Sequence, residues 1–172
     1  MANGIIKPMS IISGELYTAK NDKGELVGFT LWTPPGRDSF DTPDQLETGF
    51  GEFMSKLDEG ARDFLGRLLG KVVPAFVDGA LGIEKAELNC YWCWFAFVRE
   101  DYQNKGICTA MFDLVYEKAK STGAVMGLLT QDATNVTKYE HLGFKEYGKE
   151  SFDSPWAKWT FYCMARKTSG EI

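Results

Sequence analysis

FAFVREDYQNKGICTAMFDLVYEKA, from Phe95 to Ala119, is the most informative stretch of the chain. It begins inside Leu88–Val98, LNCYWCWFAFV, an uncharged run dense in aromatic residues that reads as a buried central strand. A polar loop, Arg99 to Lys105, leads to Gly106, where a helix opens. Ile107, Met111, Leu114 and Val115 form its buried face, and Gly123 stands at its end. Ala124–Thr130 is a second, short apolar strand. The pattern predicts two neighbouring parallel strands joined by a helix in a right-handed crossover.

The loop also carries chemistry. Between a strand end and a helix start, Gln103, Asn104, Lys105, Gly106, Ile107 and Cys108 present successive backbone N–H groups at a positive helix end. Such a loop binds anions, phosphates above all. Gly106 matters because a side chain there would hold a phosphate off the backbone, and Lys105 adds charge. The glycine spacing fits neither a dinucleotide fingerprint nor a Walker loop.

Upstream, SGELYTA (13–19) and ELVGFTLW (25–32), joined by NDKG, read as an antiparallel hairpin that stops at Pro34-Pro35-Gly36. Thr42-Pro43-Asp44-Gln45 is a helix start with a capping box. Leu46, Phe50, Phe53, Met54 and Leu57 follow at helical spacing, then Phe64, Leu65, Leu68, Leu69 and Val72. Pro74 should kink or split this second segment and Gly82 end it. Downstream, Asp132 or Thr134 caps a short helix ending at Leu142-Gly143, and two strands, Phe144–Phe152 and Ala157–Ala165, close the chain. The order is that of a mixed α/β domain spanning 1–172, with 1–13 as lead-in and 167–172 as tail.

The anion loop and a second segment together resemble the GNAT superfamily of N-acetyltransferases. Gln103 to Cys108 stands where the family has Q/R-x-x-G-x-G/A, and NVTKYEHLGF, Asn135 to Phe144, is similar to its N…Y-E-x-L-G-F segment. LVGFTLWTPPGRDSFDT, from Leu26 to Thr42, looks like a fungal subgroup whose strand ends in a W-x-P-P-G-R turn. The resemblance covers Gly14 to Arg166. It implies a GNAT fold, a mixed central sheet with a splayed parallel pair and flanking helices. It implies acetyl-CoA as cosubstrate, its pantetheine arm on the backbone of Phe97 and Val98 and its pyrophosphate on the amides of Gln103 to Thr109. It also implies Asp132 and Asn135 at the cofactor, and Tyr139 as the acid that protonates the departing thiolate. A phenol suits that role because it stays protonated at neutral pH.

The chain departs from the family pattern in three places. Cys108 replaces the third motif glycine. No Asp, Glu or His lies between Asn89 and Val98 to take the amine's proton, and Trp92 stands where the subgroup often has His. The family's first strand and its following helices would precede Gly14, where 13 residues stand. The expected activity is acetyl transfer to a small-molecule amine by direct attack; the other reading is a CoA-binding or interaction module without turnover.

Composition narrows the alternatives. With 24 acidic against 19 basic residues the net charge is −5, the wrong sign for a nucleic-acid binder. The longest uncharged apolar stretch has 11 residues, short of a membrane span, and no signal peptide is evident, so a cytoplasmic location is expected. The Cys90–Cys93 pair sits inside a strand pattern, which fits neither a redox motif nor a metal site. His141 should face solvent, turned about 200° from Tyr139 on a helix. The five tryptophans read as core or pocket wall, and Arg37 as a turn-fixing donor. An exposed sheet edge before the hairpin would let a second copy pair as a homodimer.

Overall fold

A computed structural model describes residues 2–40 and 42–169. Six strands form one mixed sheet in the order β1-β2-β3-β4-β6-β5. They are β1 (Glu15–Lys20), β2 (Leu26–Thr33), β3 (Tyr91–Val98), β4 (Met126–Thr130), β5 (Lys145–Asp153) and β6 (Lys158–Arg166). Every neighbouring pair is antiparallel except β3–β4. The principal helices are α1 (Glu59–Arg67), α2 (Val73–Leu81), α3 (Ile107–Thr122) and α4 (Ala133–His141). Of the expected lead-in and tail, residues 1 and 170–172 lie outside the described residues.

The two faces of the sheet carry separate cores. Under α3 and α4, Trp32, Cys93, Phe112, Val115, Met126 and Met164 pack together, with Trp32 and Phe112 ring centroids 4.9 Å apart. Under α1 and α2 lie Leu68, Val73, Val77, Trp92, Phe161 and Cys163. The predicted parallel pair is present, with Tyr91, Trp92 and Cys93 opposite Met126, Gly127 and Leu128. Gly127 is required by its neighbour, because a Cβ there would fall 2.3 Å from the ring of the buried Trp92.

Several sequence expectations are corrected. The central strand starts at Tyr91, since Leu88 and Asn89 belong to a helical turn, Ala86–Asn89. That turn is nucleated by the Asp78 carboxylate, which accepts the amides of Lys85 and Ala86 at 2.9 and 2.8 Å. On α3 the buried face is Met111, Phe112, Val115 and Ala119, whereas Leu114 is 58% exposed. The Leu46–Leu57 stripe is not one buried helix. Gly49, at φ 146°, breaks it into short turns, Leu46–Phe50 and Gly51–Ser55, with no buried residue in either. The capping box before it does form: Thr42 N–H donates to Gln45 Oε1 at 3.1 Å, while the buried Gln45 donates to Ser13 Oγ at 2.8 Å. Pro74 begins α2 after a wide turn, Leu68–Val72, and Gly82 closes it in the left-handed conformation, both as predicted. The lead-in is more than a tail, because Met9 is fully buried against the sheet's first strands. No helix of the described residues is long and apolar enough to cross a membrane.

Candidate active site

The site begins where β3 and β4 part. Their pairing ends at Cys93–Leu128, while β4 stays on β6 as far as Thr130–Tyr162. The cause is a β-bulge on the other edge of β3. Trp32 faces Cys93 and Leu31 faces Phe95, which leaves Trp94 as an extra residue. Such a bulge bends the strand and sharpens its twist, so β3 turns away from β4. Beyond it, Arg99 N–H donates to Val27 O on β2 at 2.8 Å. Strand alternation then points the amide and carbonyl of Ala96 and Val98 into the gap, and those of Phe97 towards β2. Of the two backbone positions expected to meet the pantetheine arm, Val98 faces the gap, as Ala96 does, and Phe97 does not. The Val98 carbonyl already accepts from Gln103 Nε2 at 3.1 Å.

The loop that follows is held by its own side chains. Arg99 pairs with Asp101 at 2.7 Å, and the Tyr102 ring lies beneath both Arg99 and Lys105 at 4.6 and 4.8 Å. Lys105 Nζ donates to Asp101 O at 2.9 Å. Asn104 and Gly106 both take left-handed conformations, at φ 58° and 78°. Gly106 is the N-cap of α3 and no side chain caps that helix, whose first recorded backbone bond is Ala110 N–H to Gly106 O, 2.9 Å. The first-turn amides of Ile107, Cys108 and Thr109 therefore lack intrahelical acceptors. A Cβ on Gly106 would meet no atom within 4 Å, so glycine is required by its φ rather than by crowding from the protein.

Across the gap, α4 presents Tyr139. Its ring packs against Phe112 and Phe144 at 5.9 and 6.0 Å, and its hydroxyl makes no hydrogen bond with another described residue. Burial, with the nearby thiols of Cys93 and Cys108 adding to it, holds its pKa well above that of a free phenol. The tyrosine from α4, the cysteine from the end of the parallel pairing and the cysteine from the first turn of α3 thus share one neighbourhood. Burial raises the Cys108 thiol as well, while the charge of Lys138 opposes the rise. Lys138, missed in the sequence, also donates to Asn135 Oδ1 at 3.0 Å, and Asn135 Nδ2 reaches Thr130 Oγ1 at 3.5 Å. Asp132 is not on the helical face of Tyr139. It is the N-cap of α4, its carboxylate accepts Thr134 N–H at 2.8 Å, and that bond lowers its pKa. His141 is exposed, and its Nδ1 lies 2.6 Å from Thr137 O. Arg37 donates to Ile12 O at 3.1 Å, the turn-fixing role expected of it.

The four cysteines are free thiols, and burial pushes Cys90 up to about 11 and Cys163 up to about 12. One carboxyl escaped the sequence reading. Glu87 precedes β3, and burial first, then Asp38 and Asp78, pushes it up to about 7. Only the fold reveals it, since the shift comes first from burial.

Comparison with known proteins agrees with this geometry. Residues 82–164 match the family model described as an acetyltransferase (GNAT) domain. A Corynebacterium glutamicum structure described as histone acetyltransferase HPA2 and related acetyltransferase is 16% identical, with TM-score 0.56, over 97% of this chain and 72% of that one. Nourseothricin acetyltransferase is 13% identical, with TM-score 0.54, over 92% and 68%. The Escherichia coli ribosomal-protein-S18-alanine N-acetyltransferase is 13% identical, with TM-score 0.52, over 94% and 73%. None of the curated proteins matches in sequence. The splayed sheet and its neighbours define a GNAT fold. The match to a GNAT acetyltransferase domain spans residues 82–164, just under half of the chain, and the likeness to the solved structures extends over the rest as a shared fold.

Proposed function

We propose that this enzyme transfers acetyl from acetyl-CoA to the amine of a small molecule by direct attack, with Tyr139 as the proton donor. The observation that supports the cosubstrate is the pairing of an open strand edge, Ala96 and Val98, with an uncapped helix N-terminus at Gly106. The residues fit the group. Strand groups facing the gap suit an amide-bearing arm, and the free amides of residues 107–109 suit a pyrophosphate.

Acetyl-CoA supplies an activated thioester. The chain's own part is to hold it and to manage protons. As the C–N bond forms and the C–S bond breaks, the Tyr139 hydroxyl proton passes to the departing sulfur. The raised phenol does not forbid this, because a thiolate forming in the same apolar space is raised by the same desolvation. Glu87 sits at the closed end of the parallel pair; Tyr91 there is three residues, about 10 Å of strand, from Trp94. The amine is therefore expected to lose its proton to water.

The test is Tyr139→Phe. Its kcat should fall by about 10²–10⁴, with CoA affinity by calorimetry little changed, because the hydroxyl acts on charge that develops only in the transition state. A variant within about threefold of the parent would refute the acid role. CoA binding without turnover on any amine would favour the binding-module reading.

A further inference from the structure

We propose that the acceptor is a primary amine carrying a single positive charge and an apolar, ring-sized body, seated on Phe97 and Phe29 on the sheet face opposite α3. This rests on the acetyl-transfer reading above and specifies its substrate class.

The faces follow from contacts. A Cβ on Gly28 would lie 3.4 Å from Ile107 Cγ2 and 3.3 Å from Val98 Cγ2, so Gly28 and Val98 face α3. Alternation sends their neighbours Phe29 and Phe97 to the opposite face. These two are register partners with ring centroids 5.8 Å apart, and Phe97 is 51% exposed. On the α3 face, Ala96, Cys108 and Tyr139 pack around the buried Phe112 cluster. An acyl group held in the gap is thus backed by packed side chains on the α3 face, and the other side, past Phe97, is the approach this proposal uses.

Both banks of the gap are aromatic on that side. Trp94 joins the α1–α2 core, with its indole N–H donating to Thr33 Oγ1 at 3.0 Å. β6 runs on past Thr130, the end of β4, and there Trp159 stacks on Phe64 of α1 at 6.5 Å.

Charge decides the substrate class. None of β2, β3 and β4 carries a charged side chain anywhere along its length. A lysine-rich protein tail or a polyamine would bring extra ammonium groups to three strands that offer them no carboxylate, the nearest on that face being Asp63 and Asp153 beside Phe64, and burying unpaired charge is costly. A single amine gains from the same surface. Apolar surroundings lower an ammonium pKa, so the neutral nucleophile is favoured where β3 offers no carboxylate base.

The experiment compares 2-phenylethylamine, ethylamine and spermidine with acetyl-CoA, following thiol release. The phenyl compound should exceed ethylamine at least about 100-fold in kcat/KM, and spermidine should be the poorest. Phe97→Ser should raise KM for phenylethylamine and cut its advantage over ethylamine to under about tenfold, with CoA affinity unchanged. Because Phe97 is half exposed, the variant is expected to fold, and a melting curve checks this. Equal rates on the three amines, a preference for spermidine, or a variant that keeps full discrimination would overturn the inference while leaving acetyl transfer standing. Failure to bind CoA in calorimetry would overturn both.

Discussion

The glycines of the β3–α3–β4 unit and those inside the helices of the excursion from 42 to 89 are of opposite character. In the first, Gly106 adopts φ 78° at the helix cap and Gly127 lies under the Trp92 ring. In the second, Gly66 and Gly79 lie inside α1 and α2, and a Cβ on either would meet nothing within 4 Å. Seven glycines fall among the 41 residues from 42 to 82, enough to soften the helices and to allow the break at Gly49. The lesson is that a glycine carries information when the backbone or a neighbour excludes every other residue. Otherwise it only weakens the element it sits in.

Four measurements can break or sharpen this contrast. The largest effect belongs to Glu87, at the seam between the two regions. Its folded pKa of about 7 lies above the ordinary value of 4.5, so the folded state binds the extra proton between those limits. Stability should therefore be greatest below pH 4.5 as far as this group is concerned, and fall by up to about 3 kcal/mol as pH rises to 7. Urea melts of Glu87→Gln against the parent across that window should show the slope removed. A parent whose stability does not decline relative to the variant would exclude the shift.

Gly127→Ala comes next. Its methyl group would force the buried Trp92 ring aside, at a cost of about 2–3 kcal/mol by denaturant midpoint. A near-neutral outcome would mean that the two strands can separate without penalty. Gly106→Val should weaken CoA binding at least about tenfold, or 1.4 kcal/mol, because a β-branched residue resists φ 78° and the loop amides would lose their aim. Unchanged affinity in titration calorimetry would remove the loop from the cofactor site. The smallest effect has the opposite sign. Gly66→Ala and Gly79→Ala should each raise stability by about 0.5–1 kcal/mol, without altering CoA affinity. Loss of stability in either would show that the excursion is as tightly specified as the unit it covers.

The sequence by itself determined the β-α-β unit, its loop and the position of Tyr139. Each rests on a local rule: an uncharged aromatic run makes a buried strand, a glycine opens a helix, and helical spacing marks a packed face. It also determined the capping box at Thr42 and the stop at Gly82. Only the tertiary structure decided the bulge at Trp94, because an extra residue is visible only against the register of β2. The bulge opens the gap, turns Val98 rather than Phe97 towards it, and leaves Phe97 for the other face. The protonation of Glu87 was likewise beyond the sequence, since it depends on burial and on Asp38 and Asp78, brought near by folding. The split of the Leu46–Leu57 stripe has the same origin. Apolar periodicity states which residues can share a face, but a face is buried only where another element arrives to cover it.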